Sequence, residues 1–206
     1  MRTVTIVAKG PSAVNARKWC RTGTAIASIN DSYKLVDGNP QYSFFSDVGV
    51  ISRWLDPDRI GKLIHPKLTE VENPVGDDVI PDWYLKLREE QKVHIYFDRY
   101  CGGTEDEFRQ RIKEGGICHH STVAGAMHWL SKVERFKKIR IIGVDGGTKG
   151  TEYAPGMKGL SSKEESLIKM YGRLDFLNVW KEVYLRLCKV LHEHYGTHFE
   201  WYGGPR

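Results

Sequence analysis

The stretch Val4-Thr5-Ile6-Val7-Ala8-Lys9-Gly10-Pro11-Ser12 decides how the rest of the sequence is interpreted. It passes from a short apolar run, Val4–Val7, into a Gly-Pro-Ser turn. Residues Ala13–Cys20 can then continue as a helix with Ser12 near its N-cap. The stretch therefore predicts a strand, a tight turn and a helix, which is the building unit of an α/β protein.

The same arrangement recurs along the chain, because further apolar runs also end in polar residues or glycine. Strands are predicted at Thr24–Ile29, Tyr42–Phe45, Val93–Phe97, Ile139–Val144 and His198–Tyr202. Helices are predicted at Ser121–Lys132 and within Glu164–His194, where apolar residues recur at helical spacing. Alternating strands and helices predict a Rossmann-like α/β fold with an open, mostly parallel sheet and helices on both faces.

Length and composition favour one folded domain over residues 1–206. The 206 residues carry 31 Lys+Arg and 26 Asp+Glu, so the net charge is 31 − 26 = +5, a mildly basic balance. No apolar run approaches the ~20 residues that span a bilayer, no signal-peptide pattern opens the sequence, and four scattered cysteines form no CxxC pair. We therefore expect a cytoplasmic protein without a membrane span. The proline-rich residues 57–83 are expected to form an irregular insertion or lid.

The turn after the first strand is a candidate phosphate site. Gly10 lets the backbone turn tightly, and Ser12 adds a hydroxyl to the N–H groups of a helix start. The same residue types also occur in ordinary strand–helix turns, so the motif is weak by itself. Neither a GxxxxGK[ST] nor a GxGxxG pattern is present, which disfavours an ATPase of the Walker type and a dinucleotide-binding protein.

A second glycine-bearing loop, Gly115–Thr122, leads into the helix that begins near Ser121. Ser121 and Thr122 place two hydroxyls at a helix start, where they serve either as caps or as an anion site. The neighbouring Cys118, His119 and His120 do not predict a metal site, because adjacent residues of an extended segment point to opposite faces. We expect His120 to act as a proton carrier, with His94 and His119 as the next choices.

The third cluster is Asp145-Gly146-Gly147, directly after an apolar strand. The carboxylate of Asp145 would reach the edge of the sheet where ligands bind in open α/β folds, and the two glycines leave room for a ligand. The alternative is a turn-forming aspartate without a ligand.

Together these residues resemble the nucleotide-binding frame of bacterial lipooligosaccharide sialyltransferases, and a similar frame occurs in the archaeal hydroxymethylpterin diphosphokinase-like family. The resemblance covers roughly residues 3–50 and 115–202. It rests on short motifs: Lys9-Gly10-Pro11-Ser12, Asn30, Ser46-Asp47, Ser121-Thr122 and Asp145. Lys9 departs from the sialyltransferase pattern, which has an asparagine there, and would add positive charge beside a phosphate. The resemblance implicates Gly10, Ser12, Asn30, Ser121, Thr122 and Asp145. We expect the nucleotide site also to include Lys9, Ser46, Asp47 and Gly146.

The predicted function is a nucleotide-dependent transferase, specifically a glycosyltransferase that moves a sugar from a nucleotide-sugar donor to a hydroxyl acceptor. His120 and Asp145 are the predicted catalytic residues. The acceptor is a glycan, a small molecule or DNA. One alternative is a diphosphokinase that uses ATP and Mg²⁺, with Asp47 and Asp145 as metal ligands. Another is a non-catalytic nucleotide or nucleic-acid binding module, which the basic N-terminal third supports through Arg2, Lys9, Arg17, Lys18, Arg21 and Trp19.

Overall fold

Seven parallel strands form the central sheet of the protein. The computed structural model describes residues 2–20, 23–46, 48–53, 55–67, 80–96, 98–144, 154–157 and 173–203. The strands are β1 Thr3–Val7, β2 Ala25–Ile29, β3 Tyr42–Phe44, β4 Lys62–Pro66, β5 Val93–Tyr96, β6 Asp98–Tyr100, β7 Ile117–His119, β8 Lys138–Ile142 and β9 His198–Tyr202. The sheet order is β5-β4-β3-β2-β1-β8-β9, and β6 and β7 form a separate parallel pair. The predicted parallel α/β architecture is therefore confirmed.

Six α-helices connect or cover these strands in the described part of the chain. They are α1 Ala16–Trp19, α2 Val48–Arg53, α3 Asp82–Glu89, α4 Glu105–Lys113, α5 Thr122–Lys132 and α6 Arg173–Tyr195, and 3₁₀ turns occupy Pro11–Asn15 and Ser32–Leu35. None of the described helices is long and apolar enough to cross a membrane.

Apolar side chains cover both faces of the sheet. In β1, Val4 and Ile6 belong to the main core with α4, α5 and α6, whereas Val7 belongs to a second cluster on the other face with Ala13 and Ala16. Because successive side chains of a strand point to opposite faces, a strand that is buried on both sides becomes a continuous apolar run. This is why β1 and β8 are readable from the sequence.

Two sequence predictions need correction. The segment 57–83 is not irregular throughout, because Lys62–Pro66 forms the buried strand β4 and pairs with β3 and β5. Lysine, histidine and proline interrupt the apolar pattern by which the sequence would predict this strand. Residues 68–79 of the segment lie outside the described residues. The first helix begins as a 3₁₀ turn capped by Gly10, so Ser12 lies inside the turn and not near its N-cap. The strand predictions for β1, β2, β3, β5, β8 and β9 are correct within two residues at each end.

Candidate functional site

The carboxyl ends of the parallel strands define one edge of the sheet, where open α/β folds bind their ligands. The chain runs from β1 outward to β5 and later returns to place β8 on the other side of β1. The order of strands therefore reverses between β1 and β8. We call the side chains that follow β1, β2, β3, β5 and β7, together with the start of α5, the carboxyl edge.

The Gly-Pro-Ser turn joins the carboxyl ends of β1 and β8. The Gly10 N–H donates to the Gly143 carbonyl at 2.7 Å, and the Ser12 Oγ accepts from the Gly143 N–H at 3.0 Å. Gly143 has a φ of 80°, and a Cβ there would lie 2.7 Å from the Ala8 carbonyl oxygen. Only glycine fits such a position without strain. No local sequence pattern indicates this contact, and nucleotide binding by Gly10 and Ser12 stays a prediction.

Asn30 ends β2 in an uncommon conformation. Its φ is 55°, the left-handed region that asparagine tolerates better than most residues, and its N–H donates to the Phe44 carbonyl at 2.8 Å. Its side-chain Oδ1 is buried and has no hydrogen-bond partner among the described residues. An unsatisfied buried acceptor costs about 1–3 kcal/mol, and a bound water or a ligand would supply the missing partner.

Lys9 and Asp31 form a buried ion pair beside Asn30. The Lys9 Nζ lies 3.3 Å from the Asp31 Oδ1, and the two side chains are 8% and 6% exposed. Lys34 Nζ approaches the Asp31 Oδ2 at 3.2 Å. The expected phosphate contact by Lys9 therefore competes with a carboxylate that the sequence interpretation did not assign to the site. One carboxylate and two ammonium groups leave this cluster a net positive charge.

Hydroxyl groups meet at the start of α5. The Ser46 and Thr122 hydroxyls are 2.5 Å apart, which brings the end of β3 to the helix. Ser121 is the N-cap, since its Oγ accepts from the Ala124 N–H at 3.1 Å, and the Tyr184 hydroxyl lies 2.9 Å from the same Oγ. The capping role predicted for Ser121 is confirmed. Tyr184 comes from α6, 63 residues away, and sequence reasoning missed it.

The two adjacent histidines have different partners. His120 Nδ1 lies 2.9 Å from the Cys101 carbonyl oxygen, which only accepts, so Nδ1 carries the donated proton. His119 Nδ1 lies 3.1 Å from the Tyr96 hydroxyl, and this pair packs over α5 where Gly125 has no side chain. A Cβ on Gly125 would lie 2.4 Å from the Tyr96 oxygen. Hydrogen bonds therefore fix the ring orientations of both histidines at the carboxyl edge.

His94, a further choice for the base, is not brought to the carboxyl edge. It is the second residue of β5 and lines a cavity of about 400 Å³ with Lys62 and Lys92. Burial and the nearby Lys62 lower the pKa of His94. The lysines around this cavity are already paired, Lys62 with Glu134 and Lys92 with Glu90.

Several predicted site residues lie outside the described residues: Asp47, Asp145 and Gly146. Within the described ranges, no group of three or more His, Cys, Asp or Glu side chains could hold a metal ion.

The predicted basic surface of the N-terminal third is not a single patch. Lys9 is buried, Arg2 contacts the Glu134 carbonyl at the amino end of β1, and Arg17 pairs with Asp37. Lys18 lies over the Trp19 ring, and Arg21 is outside the described residues.

Comparison with solved structures identifies the class of fold as that of sialyltransferases. No protein-family model matches the sequence, and no curated protein matches it significantly. The sialyltransferase CstII from Campylobacter jejuni, in complex with the substrate analogue CMP-3FNeuAc, superposes with a TM-score of 0.53 at 14% identity over 98% of this chain and 81% of that one. A CstII variant in complex with CMP gives a TM-score of 0.51 at 12% identity, with the same coverage. These similarities confirm the fold that the sequence resemblance implied.

Proposed function

We propose that the protein is a glycosyltransferase that moves a sugar from a nucleotide-sugar donor to a hydroxyl acceptor. The buried Asn30 Oδ1 is the observation that carries the proposal, because it is an acceptor without a partner in the described part of the chain. It lies at the edge of the sheet where ligands bind in this fold class. The likeness to CstII bound to CMP compounds supports a nucleotide as that ligand.

The other carboxyl-edge residues supply complementary contacts in this proposal. The Ser46, Ser121 and Thr122 hydroxyls contact the nucleotide, and the positive charge of the Lys9–Asp31–Lys34 cluster favours its phosphate. Gly10 and Ser12 line the same site in this proposal, and Asp47 and Gly146, which follow β3 and β8 in the sequence, are predicted members of it.

His120 takes the proton of the acceptor hydroxyl in the proposed reaction. The Cys101 carbonyl holds a proton on Nδ1, and this orientation leaves Nε2 as the basic nitrogen of a neutral imidazole. Asp145 orients the acceptor or the base, and the bond between the sugar and the phosphate breaks as the new glycosidic bond forms. The acceptor is a glycan, a small molecule or DNA, and a cytoplasmic location remains a prediction from the sequence.

A ligand screen by thermal unfolding tests the proposal. The purified chain is heated with CMP, UDP, GDP, ATP and the sugar conjugates of the first three, each with and without Mg²⁺. A ligand at ~100 times its Kd adds ~2.7 kcal/mol, which raises Tm by roughly 5 °C or more for a chain of this size. We expect CMP or UDP and their sugar conjugates to give this shift without Mg²⁺.

The remaining outcomes separate the alternatives. Stabilisation by ATP only, and only with Mg²⁺, would favour the diphosphokinase instead. No stabilisation by any nucleotide would contradict a nucleotide-dependent transferase of either kind. A nucleotide-sugar that stabilises the protein is then incubated with it, and release of the free nucleotide distinguishes an enzyme from a binding module.

A further inference from the structure

We propose that Asp31 accepts a hydrogen bond from a ribose hydroxyl of the bound nucleotide and makes the site selective for ribonucleotides over 2′-deoxyribonucleotides. The inference rests on the proposed function, since it requires a nucleotide at the carboxyl edge. It assigns a specificity-determining role to a residue that the sequence interpretation left unassigned.

The position of Asp31 is the first argument. It follows β2, whose neighbour β1 runs parallel to it and ends at the Gly-Pro-Ser turn. The distance along the chain from Gly10 to Asp31 is 31 − 10 = 21 residues. In dinucleotide-binding Rossmann folds, an acidic residue about 20 residues after the glycine turn of β1 hydrogen-bonds the ribose. The chain lacks the GxGxxG motif but keeps this acidic position.

The surroundings of Asp31 are the second argument. The residue is 4% exposed, yet its buried Oδ1 makes no hydrogen bond to the described residues. The Lys9 ammonium lies 3.3 Å from this oxygen, so the contact is an ion pair without a well-directed hydrogen bond. A carboxylate offers about four acceptor sites, and buried polar atoms normally use them. Asp31 therefore has acceptor capacity for a ligand hydroxyl.

The chemistry of a carboxylate narrows what it can contact. An ionised carboxylate only accepts hydrogen bonds and repels phosphate oxygens, so the facing part of a nucleotide must be a donor. The donors of a nucleotide are the ribose hydroxyls and the amino groups of the base. Asn30 directly precedes Asp31, and its side-chain amide can both donate and accept hydrogen bonds. The amide therefore suits the edge of the base, which carries donors and acceptors. The ribose is thus the partner that the spacing and the carboxylate favour.

Calorimetric titration of the wild-type chain with CMP and with 2′-deoxy-CMP tests this assignment. A site that hydrogen-bonds a ligand hydroxyl loses that bond with the deoxy compound and keeps a buried carboxylate oxygen unsatisfied. We expect 2′-deoxy-CMP to bind at least ~10-fold more weakly. The analogue 2′-fluoro-2′-deoxy-CMP cannot donate at that position, and we expect it to bind as weakly as the deoxy compound. AMP, GMP and UMP with their deoxy forms extend the comparison to other bases.

A double variant links the selectivity to Asp31. Asp31→Asn alone would leave the buried Lys9 ammonium without its carboxylate, which is strongly destabilising, so it is combined with Lys9→Gln. Any loss of phosphate attraction then affects both ligands equally, and the ratio of their Kd values isolates the ribose contact. We expect the ratio of the 2′-deoxy-CMP Kd to the CMP Kd to fall to about 2 in the double variant, because the asparagine amide still makes a weaker contact. Asp37→Asn, at an acid that is 79% exposed, is the matched control and should keep the wild-type ratio.

The outcomes separate this inference from the proposed function. Equal affinity of the wild type for the ribo, deoxy and fluoro compounds would overturn the role of Asp31 and leave a nucleotide site in place. An unchanged ratio in a folded double variant would also overturn it. If no nucleotide of any base binds to the wild type, the proposed function itself fails, and the inference fails with it. Should the double variant not fold, the fluoro compound decides the question on the wild type.

Discussion

The two edges of the sheet use their polar side chains in different ways. At the amino edge, which comprises the starts of β1, β3 and β4, the Glu134 carboxylate accepts from the Tyr42 hydroxyl at 3.0 Å and from the Lys62 Nζ at 2.9 Å. Arg2 donates to the Glu134 carbonyl at 2.7 Å and lies over the Phe136 ring. At the carboxyl edge, the buried Oδ1 atoms of Asn30 and Asp31 make no hydrogen bond to the described chain.

This difference separates groups that stabilise the fold from groups that await a ligand. A network whose donors and acceptors satisfy one another contributes to stability and has little capacity left for a ligand. Buried acceptors that lack a partner cost stability in the isolated chain and recover it on binding. We therefore expect substitutions at the amino edge to lower stability without changing binding, and substitutions at Asn30 to weaken binding without lowering stability.

The largest expected effect comes from the join between β1 and β8. Gly143→Ala places a Cβ 2.7 Å from the Ala8 carbonyl oxygen in a residue with a φ of 80°. The left-handed conformation costs about 1–2 kcal/mol and the overlap about 1–3 kcal/mol more, so we expect a loss of about 3 kcal/mol in the free energy of unfolding. Urea denaturation followed by circular dichroism measures it.

Gly156→Ala is the matched control for Gly143. Gly156 has a φ of 83°, but a Cβ there would meet no atom of the described residues within 4 Å. Only the conformational cost of about 1 kcal/mol should remain. Equal losses in the two variants would mean that the close approach at the carboxyl edge contributes nothing to stability.

Stability should depend on pH because of a buried histidine in α5. His128 is buried in α5, and its Nδ1 accepts from the Cys118 N–H at 2.7 Å, so that nitrogen holds no proton. Burial lowers the pKa of His128 to about 3. Between that value and the ~6.5 of the unfolded chain, the unfolded state binds a proton that the native state does not. Stability should therefore fall as the pH decreases through this range, and His128 alone contributes up to ~1.4 kcal/mol per pH unit to the slope.

Urea denaturation at several pH values between 4 and 7 tests this slope. His128→Asn keeps an acceptor near Nδ1 but cannot take up the proton, so the slope should decrease. It should not vanish, because burial also lowers the pKa of His65 to about 4. A His128→Asn profile parallel to that of the wild type would refute the assignment of acid sensitivity to this residue.

A smaller effect is expected from the amino edge. Glu134→Gln removes the charge that Lys62 and Tyr42 contact, and we expect a loss of about 1 kcal/mol in the free energy of unfolding. Nucleotide affinity should change less than ~2-fold, since the group is satisfied within the fold and lies at the opposite edge. Denaturation and calorimetry on the same preparation give both values. A marked loss of nucleotide affinity in Glu134→Gln would contradict the separate roles of the two edges.

The sequence predicts those parts of the fold in which local pattern and tertiary environment agree. β1 and β8 each contribute buried apolar residues to the clusters on both faces of the sheet, although Lys138 and Arg140 also lie in β8, so their apolar runs predict where these strands lie. β4 was missed because Lys62, His65 and Pro66 interrupt its apolar pattern. The buried His65 is accommodated there by the Pro66 carbonyl oxygen, 2.6 Å from its Nδ1, and by the Tyr84 hydroxyl, 2.8 Å from its Nε2. That contact is invisible in a single sequence.

The features of the candidate site also divide into those that local sequence rules predict and those that only the tertiary structure shows. The N-cap at Ser121 and the polar end of β2 at Asn30 follow from local rules for helix starts and strand ends. The contact of Ser12 with Gly143 joins residues 131 positions apart, and no local pattern predicts it. The acceptor capacity of Asp31 likewise appears only when the burial and the partners of each oxygen are known.

Titration of CMP into the Asn30→Gly variant tests the central claim most directly. Glycine adopts the φ of 55° without strain, so the change removes the amide and leaves the backbone conformation intact. Arg135→Gly, at an exposed residue with a φ of 56°, is the matched control for the conformational effect. We predict that Asn30→Gly lowers CMP affinity at least ~10-fold without lowering the free energy of unfolding, while Arg135→Gly binds as the wild type does. Equal affinity in both variants would contradict a nucleotide site at the carboxyl edge.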